Sequence, residues 1–416
     1  MTDDAGGRKS RPSARDRWAV LGTLILLGLA TVLGTTVRSH SRAAPLKLAA
    51  GAIGGSYHPI AGTFVPDRTK LPDCHRDPRC LQQAFGNISY FNGPRYALEL
   101  FDRLRATDTT VTFFCHRIAH MIGSAALARF KGNVAEAYSH GSASCASGYY
   151  HGILERAFIH VFTDRGLAGV ARTICRGSGV RRFGFLDYQC VHGLGHGLMI
   201  QTGYDLPLSL KICARLQTRW DEVSCTGGVF MENGSTVYGL RSQWLKNSDP
   251  IFPCNWVTLR DKASCYTRVT TQIYATNGAN WEKTAETCRS LERTWQPFCF
   301  RSYGRDAVGT SRGTGTDIVL ARCRLAGDGE GDCFYGAART LADANADPGP
   351  AASFCRLAPQ SHQAACFAGI GVVVGLLHAT NETRTAACAR LTVTHARDCA
   401  REARAEIDSN GQGAWG

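Results

Sequence analysis

The chain has 416 residues, 18 of them cysteine, and carries a formal net charge of +13. Eighteen free thiols do not suit a reducing cytosol, so the cysteine content points to an oxidising compartment. The charge favours anionic membranes, cell-wall polyanions or nucleic acid. The basic residues are scattered, however, and are not interleaved with aromatics, so a solvated surface is the simpler reading and nucleic acid is not expected.

Residues 1–17 are polar and basic and read as a disordered cytoplasmic tail. Trp18 to Val37 then runs 20 residues without a charge, about enough to cross a bilayer as one helix. Arg8, Lys9, Arg11, Arg15 and Arg17 precede it, which places the N-terminus in the cytoplasm and everything after Arg38 outside. An uncleaved signal-anchor is the preferred reading. A cleaved signal peptide ending near Ala43-Ala44 is the alternative, and would make the chain secreted. Residues 38–70 are rich in Ala, Gly and Pro and read as a linker. An extracytoplasmic cysteine-rich domain is expected over 71–404, and a disordered tail over 405–416.

In the cysteine-rich stretch, neighbours are expected to pair: Cys74 with Cys80, Cys115 with Cys145, Cys175 with Cys190, Cys213 with Cys225, Cys254 with Cys265, Cys288 with Cys299, Cys323 with Cys333, Cys355 with Cys366 and Cys388 with Cys399. The last six pairs are separated by 12, 11, 11, 10, 11 and 11 residues, and the second members from Cys190 onward recur in steps of 35, 40, 34, 34, 33 and 33. A fixed period in this range marks a repeat architecture. In each unit the first Cys ends a helical stretch and about ten polar residues follow. The second Cys then opens another apolar stretch, often with Gly three positions on (Gly148, Gly193, Gly228, Gly336, Gly369). Asn280 and Pro350 read as start signals for two of the first helices. The expected fold is all-α: helical hairpins stapled by disulfides and stacked into a solenoid or arc. Period and helix pairing are similar to tetratricopeptide-like repeats over about residues 170–400. The diagnostic Trp/Leu-Gly/Tyr pattern is missing, so no function is carried over.

Chemistry concentrates in the first units. Seven of the 13 His (His116, His120, His140, His151, His160, His192, His196) fall between 116 and 196. His116/His120, His151/Glu155 and His192/His196 are i,i+4 pairs, and on a helix each pair shares one face and can reach one metal ion. Counted from their Cys, His192 and His196 are at +2 and +6, His151 and Glu155 at +6 and +10, and Glu232 at +7, all on one broad face. His116 and His120, at +1 and +5, are rotated away from it. The later units keep the Cys but carry Thr271 and Arg305 where His196 would stand. The metal-ligand candidates are His116, His120, His151, His192 and His196. Glu155 and Glu232 are the catalytic candidates, each as ligand or general base. Zn, Fe or Mn suits His with Glu, whereas Met121, Met199 and Met231, all inside these motifs, would suit Cu.

The plainer alternative is that these His are hydrogen-bonded core residues and the Met are gap fillers. Gly309-Thr310-Ser311-Arg312-Gly313 matches a nucleophile-elbow pattern but does not follow a strand. Asn87, Asn233 and Asn381 begin glycosylation sequons. Three functions stay open: a metal-dependent hydrolase or oxidoreductase, a cell-envelope module binding peptide, protein or polyanion, and a protein that handles copper or another metal.

Overall fold

A computed structural model describes residues 64–408, apart from 160, 162, 177–179, 236–241 and 312–314. The expected tail 1–17, the anchor 18–37 and the linker up to 63 lie outside these residues. Residues 64–70, at the end of the expected linker, rest on the first long helix. Phe64 is buried, Gln83 donates to the Val65 carbonyl, and Asn87 donates to Asp67 and Thr69. At the other end, the last helix begins at Ala396 and continues to Asp408, past the start of the expected tail.

The described residues are helical, with no β-strand among them. A row of helices forms the body: α1 (Pro78–Asn92), α2 (Cys115–Arg129), α3 (Ser144–Ala157), α4 (Phe185–Gln201), α5 (Arg219–Asn233), α6 (Leu259–Tyr266), α7 (Thr270–Thr276), α8 (Gln296–Gly309), α9 (Glu330–Asp343), α10 (Gln360–Leu377) and α11 (Ala396–Asp408). From α1 to α5 each packs on the next. α6 and α7 together take one place before α8, and the series continues through α11. Shorter helices such as Leu206–Cys213 and Pro348–Leu357 precede these and pack on them. Local sequence sets the starts. Thr218 and Asp221 close a capping box on α5, and Asn280 caps Trp281–Arg289 by accepting from the Lys283 amide. The helix expected to open at Pro350 starts at Pro348, because Asp347 already caps the Gly349 amide.

All nine expected cysteine pairs lie at disulfide distance, with Cα–Cα separations from 5.1 to 6.0 Å. Cys74 meets Cys80, Cys115 meets Cys145, Cys175 meets Cys190, Cys213 meets Cys225 and Cys254 meets Cys265. Cys288 meets Cys299, Cys323 meets Cys333, Cys355 meets Cys366 and Cys388 meets Cys399. No cysteine is free. The hairpin pattern needs two corrections. Cys115 begins a long helix instead of ending a short one, so its bridge to Cys145 ties α2 directly to α3. The second cysteines also do not open their helices: α4 starts at Phe185, upstream of Cys190, and α10 at Gln360, upstream of Cys366. Cys80, Cys225, Cys265 and Cys399 lie inside α1, α5, α6 and α11 in the same way. The starts are set by upstream caps instead, such as Asp77 on α1 and Thr218 on α5.

Neighbouring long helices touch backbone to backbone at glycines. A Cβ on Gly152 would run into the His120 carbonyl, and one on Gly228 into the His192 carbonyl. Gly148, Gly336 and Gly369 make the expected close approach. Gly193 makes a looser approach, 3.3 Å to the Leu154 side chain and 3.5 Å to the His151 Cα, and Gly195 takes the tight backbone contact, on the Cys225 carbonyl. The row also meets itself. The Ala146 amide donates to the Ala344 carbonyl (2.8 Å), and Arg181 Nη2 donates to the Leu376 carbonyl (2.5 Å). Helix α10 is long and apolar enough to cross a membrane, but 61% of its apolar window is buried here, as in a core helix.

Gly228→Ala is expected to destabilise the protein by about 1–3 kcal/mol, because carbonyl and Cβ cannot share the space. Gly169→Ala, in the helix Asp164–Thr173 with nothing within 4 Å of the added carbon, should instead stabilise by about 0.5–1 kcal/mol. Thermal melts of the oxidised proteins check both, and equal shifts would contradict the close-contact account.

Candidate metal centre

Five histidines from three helices meet around one cavity. His116 and His120 come from α2, His151 from α3, and His192 and His196 from α4. Their rings are neighbours: His151 stacks on His196 at 4.9 Å between centroids and lies 5.4 Å from both His116 and His192. The expected rotation of His116 and His120 away from this face is therefore not observed. Helix α2 is itself a member of the row, so its register from Cys115 differs from that of the later units.

Hydrogen bonds fix the tautomers. His116 Nδ1 lies 2.9 Å from the Cys145 carbonyl, which can only accept, so Nδ1 carries the proton. His120 Nδ1 lies 2.6 Å from Glu155 Oε1 and donates in the same way. In the neutral rings both Nε2 atoms are then acceptors, yet they face each other at 3.0 Å. Two lone pairs at that distance repel unless a proton or a cation lies between them.

The same arrangement recurs on α4. His192 Nδ1 donates to the Ser224 carbonyl (3.2 Å) and His196 Nδ1 to Glu232 Oε2 (2.9 Å). Their Nε2 atoms again face each other, at 3.4 Å. Glu232 is held in turn by the Tyr204 hydroxyl, which donates to Oε1 (2.6 Å). His151 completes the set from the other side. Gln189 donates its amide to Asp343 (3.1 Å), which turns its carbonyl oxygen toward His151 Nε2 (3.0 Å). That nitrogen must donate, and His151 Nδ1, buried, has no hydrogen-bond partner among the described residues.

His116, His120 and His151 each place a ring nitrogen within 4.8 Å of the other two, and Glu155, His196 and Glu232 likewise bring three ligand atoms together. These buried His/Glu groups can hold a metal ion. The backbone shares in the construction. Cys145, Ala146 and Ser147 all adopt left-handed φ (55°, 55° and 59°), which costs about 1 kcal/mol or more per residue, and this turn presents the Cys145 carbonyl to His116.

Both carboxylates are buried behind the imidazoles. Glu155 does not line the cavity, whereas Glu232 reaches it with both oxygens already accepting hydrogen bonds. Of the methionines, Met231 lines the cavity, Met199 is core, and Met121 lies beside Gly86. Burial and the neighbouring imidazoles push the His151 pKa well below 6.5. Burial, His196 and Arg268 do the same for His192. Burial also opposes the charge on His120, but Glu155 outweighs it and raises that pKa.

The cavity has a volume of about 280 Å³. Its far wall carries Arg268, Arg301, Arg305 and Arg339 from the later part of the row, together with Asp306 and Asp343. Tyr204, Gln189, Asp343 and these arginines were not among the residues the sequence singled out for chemistry. Only Arg305 had a sequence signal, as the residue standing where a repeat-equivalent His would be. No protein-family model, curated protein or solved structure matches the chain.

A histidine whose pKa falls on folding takes up protons more readily when unfolded, so it removes stability as pH drops through about 6.5. His151 and His192 act in this direction. His120, with a raised pKa, contributes stability below about 6.5 that is lost as pH rises through its folded value. With two groups against one, the melting temperature of the metal-free protein should fall on acidification from pH about 7.5 to about 5.5. In a His151→Gln/His192→Gln variant that fall should be smaller. A wild-type melting temperature that does not change over this range would contradict the burial of neutral imidazoles.

Proposed function

We propose that the chain is a metal-dependent enzyme of the extracytoplasmic space, with hydrolysis as its reaction class. Nine cysteine pairs at disulfide distance fit an oxidising environment. In this reading residues 18–37 anchor the chain with its N-terminus in the cytoplasm, and the serial packing of helices is a repeat array closed around the cavity. One observation carries the metal assignment: hydrogen bonds turn two pairs of Nε2 acceptors toward each other, at 3.0 and 3.4 Å. A cation resolves both oppositions at once, and neutral imidazole is the form that ligates it.

His116, His120, His151, His192 and His196 are the ligands of a mononuclear or dinuclear centre. Glu155 and Glu232 sit where outer carboxylates fix imidazole orientation and raise ligand basicity. The donor set is nitrogen with carboxylate support, which suits Zn, Fe, Mn or Cu(II), and the identity of the metal separates hydrolysis from oxidation. A divalent ion supplies Lewis acidity and a bound water of lowered pKa. The chain's own groups hold the ion and shape the 280 Å³ space in which a substrate lies.

The protein purified in oxidised form, without an affinity tag of histidines and without chelator, should carry close to stoichiometric metal. His192→Ala/His196→Ala should lose metal while keeping its disulfides and helical spectrum. Glu155→Gln should keep the site with affinity weakened about 10- to 100-fold, as expected of an outer carboxylate. Metal absent from the wild type, and not taken up on reconstitution, would make the histidines structural.

A further inference from the structure

We propose that the arginine wall of the cavity is a phosphoryl-binding subsite, so that the substrate is a small phosphate ester held by guanidiniums with its reacting bond toward the histidine cluster. This rests on the metal-centre reading for the reaction, but the subsite stands on separate residues.

Arg301 and Arg305 lie two and six positions past Cys299, as His192 and His196 lie past Cys190, and Arg339 lies six past Cys333. One set of structural positions thus carries imidazoles in the first half of the row and guanidiniums in the second. Both sets line the same cavity. Arg268, outside that positional set, also approaches the imidazoles: a carbon added at Gly227 would lie 3.4 Å from the His192 ring and 3.8 Å from Arg268 Nη2.

Arg301 and Arg305 are held in place with donor groups left over. Arg301 donates from Nε to Asp332 (3.0 Å) and lies over the Tyr335 ring at 4.3 Å, which leaves its two Nη groups for another acceptor. Arg305 uses Nη2 on Asp306 and Thr271, both at 2.7 Å, while its buried Nε has no hydrogen-bond partner among the described residues. The carboxylates on the cavity are Asp306, Asp343 and Glu232, and Glu232 already accepts from Tyr204 and His196. At Arg268 burial first, and then the like charge of Arg305, bring the pKa down to about 9. An anion offsets that like charge. Planar guanidiniums from α8, α9 and the turn between α6 and α7 suit the bidentate geometry of phosphate oxygens. Phosphate is favoured over a carboxylate because its greater charge and its three free oxygens use more of the available donors.

The consequent reaction is balanced with water alone. A water oxygen forms a bond to phosphorus, the ester P–O bond breaks, and the leaving alkoxide takes the proton the water loses, giving an alcohol and inorganic phosphate.

The test is calorimetric titration of the metal-loaded, oxidised protein with inorganic phosphate, with metal content measured on each sample. Wild type should bind phosphate. Arg301→Gln/Arg339→Gln should retain its metal and lose affinity about 10- to 100-fold. Arg301→Lys/Arg339→Lys, which keeps charge and is the milder change to the fold, should still lose about tenfold because the fork geometry is gone. Unchanged phosphate affinity in the lysine or glutamine pair, with metal present, would place the anion on the metal and overturn the subsite. Acetate binding as tightly as phosphate would overturn the phosphoryl assignment. The titration is repeated on metal-free protein: phosphate binding that still depends on the arginines supports the subsite even if the metal centre fails, and none there or in the loaded form refutes it.

Discussion

Adjacent long helices in this protein touch at their backbones, and the site depends on that distance. Where Gly152 meets the His120 carbonyl and Gly228 meets the His192 carbonyl, no side chain separates the helices. Only at such an approach does the carbonyl of Cys145 or Ser224 reach a histidine Nδ1 on the preceding helix. Glu155 and Glu232, lower on the same helices, reach the second histidine of each pair. The Cys115–Cys145 bridge ties α2 to α3, Cys190 and Cys225 bridge instead to the segments just before their own helices, and the glycines set the spacing between the long helices.

The close approach produces one electrostatic arrangement twice. Each i,i+4 histidine pair donates from its Nδ1 atoms to the next helix, which in the neutral rings leaves two opposed Nε2 acceptors. His151, oriented by a relay from Asp343 through Gln189, adds a fifth buried lone pair between them. The relay also explains why the row must meet itself. Asp343 belongs to α9, far along the chain, yet it controls the tautomer of His151 on α3.

Much of the framework could be read from the sequence. Cysteine spacing is a property of the chain alone, so all nine pairs were legible, as was an all-helical fold. The grouping of His116 with His120, His151 with Glu155 and His192 with His196 followed from i,i+4 spacing on a helix face, and Glu232 from its offset from Cys225. The position of His116 and His120 was not. Counting from Cys115 assumed that this residue plays the role of the other cysteines, whereas it opens a long helix and bridges to the next one. The supporting groups were also hidden, for physical reasons. The Cys145 and Ser224 carbonyls have no side-chain signature, Gln189 sits in an ordinary helical context, Tyr204 lies in the turn after α4, and Asp343 reaches the site only through long-range closure. Arg305 was visible as a departure from the His pattern. Its convergence with Arg301 and Arg339 on the same cavity required the three-dimensional path of the row.

The most direct test of the metal centre is the X-ray absorption spectrum of the zinc-loaded, oxidised protein. It should show a first shell of nitrogen at about 2.0–2.1 Å, with the outer scattering of several imidazole rings. A shell made only of oxygen, a sulfur shell near about 2.3 Å, or zinc that leaves on desalting would contradict it.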